Sequence, residues 1–254
     1  SFLKNNDFNG ILDPSKYTEN SVSIRVSDWN NNSSYLNFRV KATDINDEVT
    51  FYDGIEILTN QNYKINKNSS IIEIKKNTFY NDLLLNISFK DDTLDLGEDK
   101  DPLRKSIIIK LPQMISDTLE LRQSFIGRIK DKNITYINSR KNDSYIYANT
   151  SSLGKYTISR DTLKPEIKPI NFKQNSNISS RSTIRLRLKD EMSGIKSYDA
   201  FLNGKWALFE YEPKSNLIFH KISDNIINKG ENILLINYQD GVGNKGLYKA
   251  TIYY

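Results

Sequence analysis

The 254 residues predict an all-β chain, and three observations carry that prediction. Apolar and polar residues alternate along most of the length, which is the period of a half-buried strand. Turn signals such as Asn203-Gly204, whose residues tolerate positive φ, interrupt the alternation at short intervals. One strand pair also recurs, so the chain carries an internal repeat.

The first strand pair sets Val22, Ile24 and Val26 against Leu36, Phe38 and Val40, across the polar loop Asp28-Trp29-Asn30-Asn31-Asn32. Near the C-terminus Leu234, Ile236 and Tyr238 lead through Asp240-Gly241-Val242-Gly243-Asn244 into Tyr248, Ala250 and Ile252. A constant offset of 212 superposes the two, matching Glu19, Asn20, Ile24, Asp28 and Asn32 with Glu231, Asn232, Ile236, Asp240 and Asn244. Strands are expected near Glu166–Phe172, Thr183–Lys189, Ile195–Leu202, Lys205–Glu210 and Asn216–Ile222, ahead of the later copy. Together they predict an immunoglobulin-like sandwich over 165–254. The earlier copy has too little chain around it for a sandwich, so 1–45 reads as the C-terminal strands of an incomplete one. Between them, 46–164 reads as a separate β domain. Its strands are expected at Ile71–Ile74, Leu83–Phe89, Ile107–Leu111, Phe125–Ile129, Ile134–Asn138, Tyr145–Ala148 and Leu153–Ile158. A helical turn is expected only at Gln113–Leu121, and Asp161-Thr162-Leu163-Lys164-Pro165 reads as the linker out of this domain.

Composition narrows the chemistry. There is no cysteine, which excludes disulfides and thiolate metal sites, and a single histidine, His220, which excludes any site needing two imidazoles. The net charge of +5 comes from 36 basic and 31 acidic residues spread along the strands, so a nucleic-acid partner is not expected. The densest basic stretch, Arg181–Lys189, alternates with Ile184, Leu186 and Leu188 and reads as the outer face of a strand. No apolar run is long enough for a transmembrane helix. Abundant Asn, Lys, Ile and Tyr point to an AT-rich bacterial genome.

Several phrases, taken in order, resemble a known family: Asn77-Thr78-Phe79-Tyr80, Pro102-Leu103-Arg104-Lys105, Leu153-Gly154-Lys155-Tyr156-Thr157-Ile158, Asp161-Thr162-Leu163-Lys164-Pro165, Ser193-Gly194-Ile195 and Phe201-Leu202-Asn203-Gly204-Lys205-Trp206. They look like the C-terminal β region of secreted M23-type (lysostaphin-like) metallopeptidases of Bacteroidota, notably flavobacteria. The middle segment is also similar in style to ZU5-type β domains, giving tandem immunoglobulin-like sandwiches with a central ZU5-like β domain. The resemblance implies a bacterial periplasmic, secreted or cell-envelope setting. It also implies a zinc peptidase domain that would precede this region and whose histidine set this chain lacks. No catalytic residue, metal ligand or cofactor is therefore expected here.

Candidate residues are few. Trp29, flanked by Asp28, Asn30 and Asn32, is the candidate binding surface, because a loop tryptophan can stack on a sugar or fill a partner's pocket. Asp28-x-Asn30-x-Asn32 imitates a calcium loop but has Ser33 and Arg39 where that loop needs Gly and Glu. The acidic stretch Asp91–Asp101 is expected to be a solvated loop, with calcium binding as the alternative. His220 and Trp206 are expected in the sandwich core, and Glu210 and Glu212 on one strand face. The expected function is a non-catalytic accessory region that positions or docks a partner domain or an envelope complex. Its partners would be envelope proteins or its own N-terminal domain. The alternatives are a peptidoglycan- or carbohydrate-binding module, and part of an active zinc endopeptidase whose catalytic domain lies upstream.

Overall fold

Nearly every alternating stretch becomes a pleated strand in the computed structural model, which describes residues 19–41, 54–224 and 226–254. The boundary expected at 45/46 lies outside the described residues. The chain divides into two compact units, 1–51 and 52–254.

In the first unit β1 (Glu19–Ser27) and β2 (Ser33–Lys41) form an antiparallel hairpin. The second unit begins with β3 (Ile55–Ile57), β4 (Tyr63–Lys67), β5 (Ser70–Ile74), β6 (Leu83–Leu85), β7 (Ser88–Lys90), β8 (Thr93–Asp95) and β9 (Ile107–Pro112). The helix α1 (Thr118–Gln123) follows, then β10 (Ser124–Lys130), β11 (Asn133–Ile137), β12 (Ser139–Lys141), β13 (Tyr145–Thr150) and β14 (Lys155–Arg160). The remaining strands are β15 (Glu166–Pro169), β16 (Ser176–Asn177), β17 (Thr183–Lys189), β18 (Ile195–Leu202), β19 (Lys205–Trp206), β20 (Glu210–Glu212), β21 (Leu217–Lys221), β22 (Glu231–Asp240) and β23 (Lys245–Tyr253).

Two sandwiches result. In the first, sheet β11-β10-β14-β8-β7 faces sheet β12-β13-β9-β5-β4 across a core that includes Ile72, Leu94, Ile109, Ile126, Ile146 and Tyr156. In the second, sheet β15-β17-β21-β20 faces β16-β23-β22-β18-β19 across Ile184, Leu186, Leu188, Ile218, Leu234, Ile236 and Ile252. Alternation makes most of both cores, although β10 buries Phe125 and Ile126 side by side. Thr183–Lys189 buries Ile184, Leu186 and Leu188 and leaves Arg185, Arg187 and Lys189 outside.

Three expectations are corrected. The acidic stretch is not a free loop: it contains β8, whose Leu94 is fully buried, and Leu96 just after it is buried too. Two of its acids are tethered, Asp95 accepting from the Gly97 N–H at 2.9 Å and Asp99 from Arg128 Nη2 at 2.6 Å and the Leu153 N–H at 3.2 Å, while Asp91, Asp92, Glu98 and Asp101 are exposed as expected. The helix starts later than expected, at Thr118, because the Asp117 carboxylate caps it by accepting from the Glu120 N–H at 2.7 Å. Gln113 holds the segment before it extended, donating to the Asn142 and Asp143 carbonyls and accepting from the Ile115 N–H. Trp206 is 59% exposed, not a core anchor. The two-residue Asn203-Gly204 turn sets Trp206 opposite Phe201, on the outward face between the buried Ala200 and Leu202, and Ala207 and Phe209 enter the core instead.

The buried β8 makes a testable claim. Leu94→Ala should destabilise the protein by about 2–5 kcal/mol, read from the midpoint of a denaturant titration; a change within about 0.5 kcal/mol, the range for a surface site, would return the stretch to solvent.

Candidate functional site

The repeated hairpin ends in the same local structure twice. At the first tip the Asp28 carboxylate accepts from the backbone N–H groups of Asn30 and Asn32, both at 2.9 Å, and from Asn32 Nδ2 at 2.8 Å. At the second, Asp240 Oδ1 accepts from the N–H groups of Val242, Gly243 and Asn244 at 3.0, 2.6 and 2.7 Å, and Oδ2 accepts from Asn244 Nδ2 at 2.7 Å. The Asp28 N–H donates to the Asn32 carbonyl at 3.0 Å, and the Asp240 N–H to the Asn244 carbonyl at 3.2 Å. Asn31 (φ 63°) and Gly243 (φ 96°) take the left-handed position required by each turn. The carboxylate organises the turn because it gathers N–H donors that a tight reversal leaves without strand partners. The Asn32 amide, followed by the two N–H groups, lowers the pKa of Asp28.

Apart from one further backbone donor at Asp240, the Gly243 N–H, what distinguishes the tips is their surroundings. The residues at the first tip, Asp28, Trp29, Asn30 and Asn32, are all exposed, and Trp29 is fully so. The second tip joins the two sandwiches of the second unit. Asn244 is buried, accepting from Gln123 Nε2 of α1 at 2.8 Å and donating through Nδ2 to the carbonyls of Asp161 at 2.9 Å and Leu163 at 3.2 Å. Tyr136 of β11 donates to the Gly241 carbonyl at 3.2 Å. The Gly241 N–H donates to the Gly194 carbonyl at 3.0 Å. A Cβ at Gly241 would lie 2.4 Å from the Ser193 carbonyl and 3.0 Å from the Tyr136 ring, so the joint closes only over a glycine.

Three carboxylates converge on this joint. Asp161 follows β14, Asp190 follows β17 and Asp240 ends β22; an oxygen from each lies within 4.8 Å of the others. Each carries backbone donors: Asp161 accepts from Leu163 and Ser193 N–H groups at 3.2 and 3.1 Å, and Asp190 from Met192 and Gly194 at 3.0 and 2.8 Å. Burial raises the pKa of Asp190, outweighing those two donors, and the charges of Asp161 and Asp240 push the same way. Burial and the same two carboxylates also raise the Tyr136 phenol. The three acids are the group among the described residues whose spacing a divalent cation could bridge.

The other sequence candidates stay apart from this joint. His220 is buried in β21, with Nδ1 2.8 Å from the Leu208 carbonyl and its ring stacked on Phe209 at 5.3 Å. Glu210 pairs with Lys221 at 2.8 Å, while Glu212 accepts from the Ser215 hydroxyl. Sequence reasoning treats Asp161 as linker and Asp190 as turn and passes over their convergence. The one available signal is the repeat itself, since Asp240 and Asn244 are two of the few residues retained between the copies.

Residues 57–161 match the Zu5-like domain family, so the first sandwich is a Zu5-like domain. No curated protein matches the chain. No helix among the described residues is long and apolar enough to cross a membrane.

Two outcomes follow. The folded chain holds the Asp190 proton more tightly than the unfolded chain does, so its ionised form costs stability that grows as pH rises above 3.8. Asp190→Asn should therefore raise the melting temperature at pH 7, with the gain fading as pH falls toward 3.8; a loss at pH 7 would mean that the charge is needed there. Gly241→Ala should open the joint without unfolding either sandwich, seen as new proteolytic cleavage within Asp161–Pro165 under an unchanged circular dichroism spectrum.

Proposed function

We propose that this chain is a non-catalytic β region that positions and docks, the accessory part of a cell-envelope protein of the lysostaphin-like metallopeptidase type. One observation carries the reading. The same carboxylate-organised tip occurs twice, once built into a joint between domains and once presented to solvent with Trp29 at its apex. A tip that couples domains at Asp240 is suited to couple a partner at Asp28. Trp29 occupies the position of Gly241, the residue buried against Tyr136, and so offers a large aromatic anchor in place of a close backbone contact.

The setting comes from the ordered phrases shared in style with that family: bacterial, periplasmic or secreted, with envelope proteins or a neighbouring domain of the same polypeptide as partners. Zinc peptidase chemistry needs a histidine set that these 254 residues lack, so any such activity would belong to another domain. A second reading has its own support. A fully exposed tryptophan beside the side chains of Asn30, Asn31 and Asn32 is also a platform for a sugar ring, which would make peptidoglycan the ligand.

The test is capture from a detergent-solubilised envelope extract by the 254-residue chain, with pelleting on purified peptidoglycan sacculi in parallel. Wild-type chain should retain an envelope protein, and Trp29→Ala should weaken that retention about thirtyfold, the effect of losing a ~2 kcal/mol hot spot. Retention on sacculi alone, lost in the same variant, favours the glycan reading. Undiminished capture by Trp29→Ala removes the tip from the function.

A further inference from the structure

We infer that the apolar face of the β1–β2 hairpin is a docking surface for a second β-sheet, one whose strands alternate aliphatic and polar residues. The repeat makes the comparison residue by residue. Glu19 pairs with Lys41 and Ser27 with Ser33 in the first copy; at the offset of 212, Glu231 pairs with Tyr253 and Gln239 with Lys245. Register is therefore the same, and the strands match in length to within one residue.

In the second copy the inward face consists of Leu234, Ile236 and Tyr238 on β22 and Tyr248, Ala250 and Ile252 on β23. It packs into the core shared with Ile184, Leu186 and Leu188 of β17 and Ile218 of β21. The equivalent positions in the first copy are Val22, Ile24 and Val26 on β1 and Leu36, Phe38 and Val40 on β2. There Ile24 is 45% exposed, Val26 67%, Leu36 59% and Phe38 42%. A surface that is core in one copy stands open in the other.

The opposite face has the character of a finished exterior. Arg25 Nε donates to the Ser27 and Ser33 hydroxyls at 3.2 and 3.1 Å, those two hydroxyls are 2.8 Å apart, and the Arg25 guanidinium lies over the Tyr35 ring. Arg39 pairs with Glu19 at 3.6 Å. Water suits that side. The other carries no charged residue, and a two-stranded hairpin needs further strands or a packed face to persist. Because sandwich sheets pack face to face with interdigitating side chains, the occupant that fits this face is a sheet with the pattern of Thr183–Lys189. Docking here is independent of the tip: it belongs to the face, and it stands even if Trp29 binds nothing.

The test places a photo-crosslinking residue, p-benzoylphenylalanine, at Leu36 on the apolar face or at Asn37 on the polar face, in the protein expressed in its native cells. Irradiation should give an adduct from position 36 and none from position 37. Mass spectrometry should map it to a strand with aliphatic residues at alternate positions. Single-cysteine variants Leu36→Cys and Asn37→Cys, in a chain with no other cysteine, provide the second measurement. In the same cells the thiol of the Leu36→Cys variant should react with maleimide at least tenfold more slowly than that of Asn37→Cys. An adduct to the hairpin of a second copy, to lipid, to glycan or to a segment without that alternation overturns the inference. So does equal labelling of the two variants with no adduct.

Discussion

A carboxylate that turns the chain back on itself is the contact on which the arrangement of the second unit depends. Asp240 gathers three backbone N–H groups and the Asn244 amide, and in doing so aims Asn244 at α1 and at the linker. The amide then bonds Gln123, Asp161 and Leu163, groups from before and within the linker between the sandwiches. Buried polar groups of this kind specify geometry because the alternative is an unsatisfied donor or acceptor away from water. The turn and the joint are thus one structure. Distorting the turn removes the partners of residues far away in sequence.

The two tips show how one side chain decides what a shared backbone does. Gly241 permits an approach to the Ser193 carbonyl and the Tyr136 ring that any Cβ would prevent. At the equivalent place Trp29 makes that approach impossible and holds its ring in water. The core of the turn is indifferent to the exchange, since Asp28 and Asp240 each bond the backbone N–H and the side-chain amide of the asparagine four residues on. Turn formation and turn use are set by different residues.

The fold is legible in the sequence wherever one strand face is buried and the other wet. Thr183–Lys189 coincides with an observed strand because alternation fixes both its extent and its facing, whereas Ile195–Leu202 is found as a strand although a register shift after Ile195 interrupts its alternation. It is obscured where local composition contradicts tertiary context: Leu94 and Leu96 enter a core from among acids, and only their neighbours β7 and β14 reveal them as strand and core. Trp206 misleads for another reason, since a tight turn dictates its register and overrides the preference of a large aromatic for burial. At the candidate site the repeated Asp and Asn can be read directly. The convergence of Asp161, Asp190 and Asp240 cannot, because whole strands separate them and each alone is an ordinary turn residue.

The placement of the indoles also governs how this protein can be watched. Both of its tryptophans, Trp29 and Trp206, project from the surface, while the aromatic residues inside the cores are tyrosine and phenylalanine, among them Tyr156, Phe125 and Phe209. Native emission will therefore already be that of hydrated indole, and unfolding will move it little. The same blindness to the core makes the two rings clean reporters of contact. A partner that covers Trp29 or Trp206 will shift the emission to the blue against a background that folding leaves still.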